Sequence, residues 1–134
     1  MIGWQVLAPA KINLGLEIIG RRADGYHEIA TIMQAITTFD RLTLRPAQEW
    51  SFSLDAGDRS GNLLDELSSD RNLVMRAART LEEKLGLRTK AAIELHKRIP
   101  VSAGLGGASS DAAACLWGLC ALSEIFPTRS LLEE

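Results

Sequence analysis

The sequence predicts an α+β domain in which helices pack on one face of a mostly antiparallel sheet. Three observations carry this prediction. Apolar and polar residues alternate in several short segments of the first half and again at 91–95, which is typical of half-buried strands. Apolar residues recur every four positions after residue 72, which indicates an amphipathic helix. A glycine-rich loop at 100–107 then leads into an alanine-rich segment that favours a second helix.

The amino-terminal segment predicts a β-hairpin. Trp4 to Leu7 is extended, and from residue 11 every second side chain is apolar. The apolar set that we expect to face the core is Ile12, Leu14, Leu16 and Ile18. The loop at 20–25 ends in Asp-Gly, a strong turn signal, and a run from Ile29 to Ile36 is the predicted pairing strand.

The middle of the chain predicts further strands and the first helix. One strand is expected around Leu42 and Leu44 and another over Trp50, Phe52 and Leu54, followed by a polar surface loop at 55–69. Asp70 or Asn72 is the predicted helix N-cap, and Gly86 suits the helix end. The predicted core face of this helix is Leu73, Ala77, Leu81 and Leu85. Ala91, Ile93 and Leu95 then form the strand that leads to the glycine-rich loop.

The glycine-rich loop is the strongest functional signal. Gly104, Gly106 and Gly107 let a ligand approach the backbone closely, and Ser109 and Ser110 are predicted N-caps of the next helix. The first N–H groups of a helix lack intrahelical acceptors and carry partial positive charge, which suits a phosphate. We therefore interpret the loop as an anion cradle, with a nucleotide as the expected ligand. The candidate residues are Pro100, Val101, Ser102, Ala103, Gly104, Leu105, Gly106, Gly107, Ala108, Ser109 and Ser110.

Two familiar nucleotide motifs are excluded, and a simpler reading of the loop is less favoured. A P-loop would need a Gly-Lys-Ser/Thr end, and a dinucleotide fingerprint would need glycine at Ser109. A plain glycine-rich turn explains one glycine and one serine, but not three glycines with two serines. Asp111 would repel a phosphate placed too close to it, so we expect its side chain to turn away.

The second helix has a predicted core face that is not a cofactor site. Its members are Ala113, Leu116, Trp117, Cys120 and Ala121. Cys115 and Cys120 are expected to be buried free thiols. Pro127 ends this helix, and residues 130–133 form a capping box that begins another. Because the sequence stops about one turn later, we expect residues 1–134 to be an amino-terminal portion of a longer protein.

Composition excludes several functional classes. A net charge of −2 and a pI near 5.7 give no electrostatic footprint for nucleic acid. No apolar run reaches membrane-spanning length, and no targeting segment precedes the first strand, so we expect a soluble, cytoplasmic protein without membrane or nucleic-acid partners. Two scattered histidines without a carboxylate cluster predict no protein-built metal site.

Five residues outside the loop are candidates with competing interpretations. Lys11 and Asn13 share the polar face of the first strand beside Gly15, either as solvated edge residues or as a cation and a donor beside a ligand. Tyr26 and His27 follow the turn, either packing on their own hairpin or binding a base. Lys97 is a surface cation by default, although it lies nearest the glycine-rich loop.

These residues also carry a family resemblance. Residues 100–113, Pro-Val-Ser-Ala-Gly-Leu-Gly-Gly-Ala-Ser-Ser-Asp-Ala-Ala, resemble the phosphate-binding motif of the galactokinase, homoserine kinase, mevalonate kinase and phosphomevalonate kinase (GHMP) superfamily. The more specific stretches, 8–16 (Ala-Pro-Ala-Lys-Ile-Asn-Leu-Gly-Leu) and 22–28 (Arg-Ala-Asp-Gly-Tyr-His-Glu), resemble its 4-diphosphocytidyl-2-C-methyl-D-erythritol kinase branch. Residues 70–81 match the nucleotide-side helix of that branch.

The resemblance implies a fold, a reaction and residue roles. The fold would be that of a ribosomal-protein-S5-domain-2-like amino-terminal domain. The reaction would be ATP-dependent phosphorylation of a hydroxyl on a cytidine diphosphate sugar alcohol, with Mg²⁺ on the phosphates, in non-mevalonate isoprenoid biosynthesis. Lys11 would be catalytic, while Asn13, Tyr26 and His27 would bind substrate. Asn72 and Lys97 would lie near the adenosine, and 100–110 would hold the ATP phosphates.

The resemblance also leaves gaps and rivals. The family's catalytic aspartate and carboxy-terminal domain would lie beyond residue 134, so this chain alone is expected to have little or no kinase activity. One rival is another kinase of the superfamily, such as homoserine or mevalonate kinase, and the Ala-Asp-Gly-Tyr-His stretch argues against it. A second is a non-catalytic binding module of the same fold, which the acidic pI disfavours.

Overall fold

The computed structural model describes residues 3–57 and 72–130, which form four strands and two helices. The elements are β1 (Trp4–Arg21), β2 (His27–Ala47), β3 (Ser51–Asp55), α1 (Leu73–Leu85), β4 (Lys90–His96) and α2 (Gly107–Leu122). The strand order is β1-β2-β4-β3. Neighbouring strands are antiparallel except β3 and β4, which run parallel. The predicted α+β class is therefore confirmed, with a mixed sheet.

The hydrophobic core lies between one face of the sheet and both helices. Leu42 and Leu44 of β2 and Ile93 and Leu95 of β4 are almost fully buried and point to that face. Because side chains alternate along a strand, the neighbouring residues Arg41 and Arg45 lie on the opposite, uncovered face. The helices therefore pack on one face, as the sequence predicts.

The β1–β2 hairpin differs from its prediction in two ways. The strand around Leu42 and Leu44 is not separate, because β2 runs unbroken for 21 residues from the turn. The predicted core face of β1 is also wrong: Ile12, Leu14, Leu16 and Ile18 are 37–63% exposed. Register shifts interrupt the alternation between Asn13 and Gly15 and again between Ile18 and Gly20. Beyond residue 11 the ribbon also extends past β4, which pairs with β2 only at 41–47.

The ends of α1 follow the sequence prediction, whereas its buried face does not. Asn72 is the N-cap, and its side-chain oxygen accepts from the Val74 N–H at 2.9 Å. Gly86 ends the helix in the left-handed conformation, with φ 60°. The buried residues are Val74, Met75, Ala78 and Leu81. The buried face is therefore rotated around the helix relative to the prediction, and the predicted Leu73 and Leu85 are partly exposed. The alternative cap, Asp70, lies outside the described residues.

Helix α2 begins earlier and faces differently than predicted. Gly106 is its N-cap, so Ser109 and Ser110 lie within the first turn and do not cap it. The buried side is Asp111, Ala114, Cys115, Gly118, Leu119 and Cys120. Trp117 of the predicted core face is 52% exposed. The prediction fails because Asp111 and Gly118 lie on the buried side, where an apolar pattern does not indicate them.

The remaining expectations concern the cysteines, the end of α2, two segments outside the described residues and membrane-spanning helices. Cys115 and Cys120 are buried free thiols, as predicted. The helix ends at Leu122, before Pro127. Most of the predicted surface loop at 55–69 and of the predicted capping box at 130–133 lies outside residues 3–57 and 72–130. Across those two ranges, no helix has both the length and the apolar character needed to span a membrane.

Candidate functional site

A cavity of about 390 Å³ opens between the glycine-rich loop, the start of α1 and the ends of β3 and β4. Its walls include the loop from Pro100 through Gly107 and the first turn of α2. The other lining residues are Leu54, Asn72, Leu73, Leu95, Lys97 and Asp111. Small-molecule sites have volumes of roughly 300–1,000 Å³, so this cavity has the size of a ligand site.

The loop turns sharply to place the start of α2 at the cavity. Ser102, Gly104 and Gly106 have φ values of 58°, 72° and 70°, a conformation that favours glycine. Ser102 adopts this conformation although it is not glycine. Positive φ at a residue other than glycine is a form of backbone strain that clusters at functional sites. The first intrahelical bond runs from the Ser110 N–H to the Gly106 carbonyl at 3.0 Å. The N–H groups of residues 107–109 therefore have no acceptor within the helix and are available to an anion.

Lys11 of β1 is anchored to this loop by three contacts. Its backbone N–H donates to the Leu105 carbonyl at 2.9 Å, and its Nζ donates to the Gly104 carbonyl at 2.8 Å. Its alkyl stem covers Gly106, where an added Cβ would lie 3.1 Å from both Cγ and Cε. An ammonium has three donors, so the bond to Gly104 leaves two for a ligand. Lys11 thus places a cation at the loop while helping to fix the loop's shape.

A buried ion cluster lies beneath the loop. Lys97 Nζ pairs with Asp40 Oδ2 and with Asp111 Oδ2, the latter at 2.8 Å. All three side chains are at most 8% exposed. Asp40 Oδ1 also accepts from the backbone N–H groups of Arg98 and Ile99. The cluster therefore joins β2, the end of β4 and the first turns of α2.

Two carboxylates share one ammonium in this cluster, and the pKa of one of them, Asp111, is raised. Burial raises the pKa of Asp111 to about 7, although Lys97 opposes that rise. Burial alone would lower the pKa of Lys97, but its hydrogen bonds to Asp111 and Asp40 outweigh that effect and raise it. Asp111 Oδ1 is buried without a hydrogen-bond partner, which agrees with a carboxyl that holds a proton easily.

We expect the Asp111 carboxyl to make stability fall as pH rises. Its pKa is about 7 when folded and 3.8 ordinarily, so between these values the folded state holds a proton that the unfolded state has lost. The stabilising contribution of this proton is fully present below about pH 4 and is lost as the pH rises through about 7. Over that range the free energy of unfolding falls by at most about 1.4 kcal/mol per pH unit. Between pH 5 and pH 8 the free energy of unfolding, measured with urea, should fall less for Asp111→Asn than for the wild type. Equal losses in both proteins would contradict this expectation.

The structure brings some candidate residues together and leaves others apart. Asn72, Lys97 and residues 100–109 surround one cavity, and Ser110 lies just outside its lining. Lys97 is held by two carboxylates and so is not the surface cation that its default interpretation suggests. Asp111 pairs with Lys97 but also lines the cavity, so its expected orientation away from a phosphate stays a prediction.

The substrate-side candidates lie along the hairpin. Asn13 is exposed, and its Oδ1 accepts from the Thr31 hydroxyl at 3.3 Å. Tyr26, which is 75% exposed, and His27 follow the turn. Beyond Lys11, β1 continues for ten residues, interrupted by two register shifts, before it reaches the turn. Neither Tyr26 nor His27 lines the cavity.

Sequence reasoning missed Asp40, the residue that connects most elements of the site. A lone aspartate between Phe39 and Arg41 resembles any strand-surface carboxylate. Its signal was weak but present, since a carboxylate beside three apolar neighbours at 39, 42 and 44 is unusual for a half-buried strand. No group of three or more potential metal-ligating side chains exists within residues 3–57 and 72–130. His96 instead pairs with Asp55 at 2.7 Å.

Comparison with known proteins finds that this chain is similar to the amino-terminal part of small-molecule kinases. Residues 72–133 match the family model described as the GHMP kinases N terminal domain. A 4-diphosphocytidyl-2-C-methyl-D-erythritol kinase of Prochlorococcus marinus (strain MIT 9313) is 46% identical over 129 residues, covering 96% of this chain and 39% of that protein. The protein of the same name from Chlorobaculum tepidum is 48% identical over 122 residues, covering 91% and 40% respectively.

A solved structure gives the same result. The crystal structure of a 4-(cytidine 5'-diphospho)-2C-methyl-D-erythritol kinase is similar with a TM-score of 0.72 at 40% sequence identity. The similarity covers 97% of this chain and 45% of that one. The chain thus spans about two fifths of the length of the curated relatives that it matches.

Proposed function

The chain belongs to the GHMP kinase family, and from this premise we propose that it is the nucleotide-binding part of a kinase that phosphorylates a small-molecule alcohol. The proposed substrates are ATP and 4-diphosphocytidyl-2-C-methyl-D-erythritol, by analogy with the relatives of that name. The proposed domain is 1–134. The observation that carries the proposal is the start of α2, whose unpaired N–H groups open on a cavity of nucleotide size.

The proposed nucleotide site uses the backbone more than side chains. The N–H groups of residues 107–109 would hold phosphate oxygens, and positive φ at Gly104 and Gly106 lets the loop curve around them. Asn72 and Lys97 would lie at the side of the nucleotide. A dipole interaction contributes only about 0.3–1 kcal/mol, so affinity depends on several donors converging.

The proposed chemistry is in-line phosphoryl transfer. The substrate hydroxyl oxygen forms a bond to the γ-phosphorus, the bond from that phosphorus to ADP breaks, and the hydroxyl proton is released. Lys11 would hold its ammonium beside the attacking oxygen and stabilise negative charge there. The contacts of its backbone and alkyl stem with the loop would keep the ammonium, and so the attacking oxygen, aligned with the phosphates.

The remaining roles rest mainly on the family resemblance. Asn13 would contact substrate from the same face of β1, and Tyr26 and His27 would recognise the cytosine by stacking and by hydrogen bonds. Mg²⁺ would bind together with the nucleotide, on its phosphates, and neutralise part of their charge. No group of three or more potential metal ligands occurs among the described residues, and Asp111, a carboxylate on the cavity wall, is paired with Lys97.

Proline at position 108 is expected to weaken nucleotide binding. Ala108→Pro removes one of the N–H groups aimed at the cavity, and proline is tolerated in the first turn of a helix. A hydrogen bond to a charged group contributes about 1.5–3 kcal/mol, so we expect roughly a 10- to 100-fold loss of ATP affinity. Calorimetry and amide chemical shifts on titration with Mg-ATP measure this loss.

Ala108→Ser is the matched control, because it changes the side chain and keeps the N–H. It should retain most of the affinity. Loop amides of the wild type that do not respond to Mg-ATP would contradict the proposed function. Equal affinity of the proline and serine variants would contradict the assignment of the N–H groups as phosphate donors.

A further inference from the structure

We propose that Asp40 is the positioning residue of the nucleotide site, because it fixes both the entry to the glycine-rich loop and the cation beneath the start of α2. This inference rests on the proposed function, since the loop that Asp40 holds is the proposed phosphate cradle. Asp40 does not line the cavity, so it would act through the groups that it binds.

The first step is the backbone contact. Asp40 is fully buried, and its Oδ1 accepts from the N–H groups of Arg98 and of Ile99, the latter at 2.8 Å. These two residues connect the end of β4 to Pro100, where the loop begins. A single oxygen that receives two consecutive N–H groups defines the direction in which the chain leaves the sheet.

The second step is the contact with Lys97. Asp40 Oδ2 pairs with Lys97 Nζ, which lies only 3.3 Å from the position that a Cβ on Gly107 would occupy. Gly107 is the first residue of α2. The contact with Asp40 therefore fixes the Lys97 ammonium against the first residue of α2, so the position of the helix start depends on it.

The third step is the energetic cost of this arrangement. Buried ion pairs are often no more stable than apolar side chains of similar volume, so stability alone gives little reason for three charged groups at most 8% exposed. A cation behind a helix start is also unfavourable unless carboxylates balance it. Asp40 and Asp111 supply that balance from β2 and α2, so the cluster suits positioning better than stabilisation.

Two substitutions at position 40 separate the contacts. Asp40→Asn keeps an oxygen that can accept from the Arg98 and Ile99 N–H groups but removes the charge that pairs with Lys97. Asp40→Ala removes both contacts. We expect ATP affinity to fall at least tenfold in Asp40→Ala and by a smaller factor in Asp40→Asn, so that the conservative variant partly rescues binding.

Asp55→Asn is the matched control. Asp55 also accepts from a backbone N–H, that of Gly57, and pairs with a basic side chain, His96. Like Asp40 it does not line the cavity, but neither of its side-chain partners belongs to the glycine-rich loop or its entry. It should keep the wild-type affinity for ATP. Far-UV circular dichroism and the melting temperature establish that each variant is folded at the assay temperature. If Asp40→Ala is not folded, the ATP affinities of Asp40→Asn and Asp55→Asn are compared instead.

The second readout uses the protein without nucleotide. Amide resonances of residues 104–109 should shift in both Asp40 variants and remain in place in Asp55→Asn. Unmoved loop amides, or an affinity within twofold of the wild type in the folded Asp40 variants, would overturn the inference. An equal loss in Asp55→Asn would also overturn it. Failure of the wild type to bind ATP would count against the proposed function, while the shifts without nucleotide would still decide the role of Asp40.

Discussion

Replacing Lys97 by methionine is expected to lower the free energy of unfolding by about 3–5 kcal/mol. Methionine preserves most of the side-chain volume but leaves Asp40 and Asp111 facing each other without a cation. Both carboxylates are almost fully buried, so water cannot replace the lost ammonium. Urea unfolding at pH 7 measures the loss, and the same measurement near pH 4 should show a smaller one because protonation removes the repulsion.

Lys90→Met is the control for this substitution. Lys90 pairs with Glu49 at 2.9 Å, but the two side chains are 36% and 82% exposed. Exposed ion pairs contribute about 0–1 kcal/mol, so the control should change little. A Lys97→Met protein as stable as Lys90→Met, or equally destabilised at both pH values, would show that the cluster does not behave as a buried charged unit.

The second large effect is expected at Gly118, where α2 packs directly on β2. A Cβ added there would lie 2.5 Å from Leu44 Cδ1 and 3.0 Å from Cδ2. Leu44 is fully buried in the core, so any shift of its methyl groups would disturb the side chains packed around it. Gly118→Val should therefore lower the free energy of unfolding by about 3 kcal/mol, measured by urea or thermal unfolding.

A double-mutant cycle tests the cause of this loss. Leu44→Ala alone should cost about 2–5 kcal/mol through the cavity that it leaves. In that background valine at 118 has space, so its own cost should fall to about 1 kcal/mol or less. Gly20→Val is the control, since a Cβ at Gly20 meets no atom within 4 Å. Additive losses from Leu44→Ala and Gly118→Val would mean that the two side chains do not compete for the same volume.

The sequence predicts those parts of the fold that depend on local chemistry. The Asp-Gly turn, the Asn72 cap, the Gly86 end and the alternation at 91–95 each have a short-range physical cause, and each occurs as predicted. The glycine-rich loop is of the same kind, because its composition already indicates backbone conformations that other residues avoid.

The parts that fail depend on contacts between distant segments. The buried side of α2 includes Asp111, which is tolerated there only because Lys97, just after β4, pairs with it. It also includes Gly118, which is required only because Leu44 of β2 packs against it. Asp40 is similar, since its importance comes from partners 57 to 59 residues away. No pattern of apolar residues along the chain reports such partners.

The exposed half of the hairpin has a consequence for how the domain opens. Beyond residue 11, β1 and β2 pair only with each other among the described strands, and their apolar side chains are largely exposed. A two-stranded ribbon without a packed face is marginal in water. This end should therefore fray while the four-stranded part stays closed, giving amide hydrogens that exchange fastest near the turn and slowest around Leu42. The domain would then have two tiers of local stability, with the proposed phosphate cradle on the boundary between them.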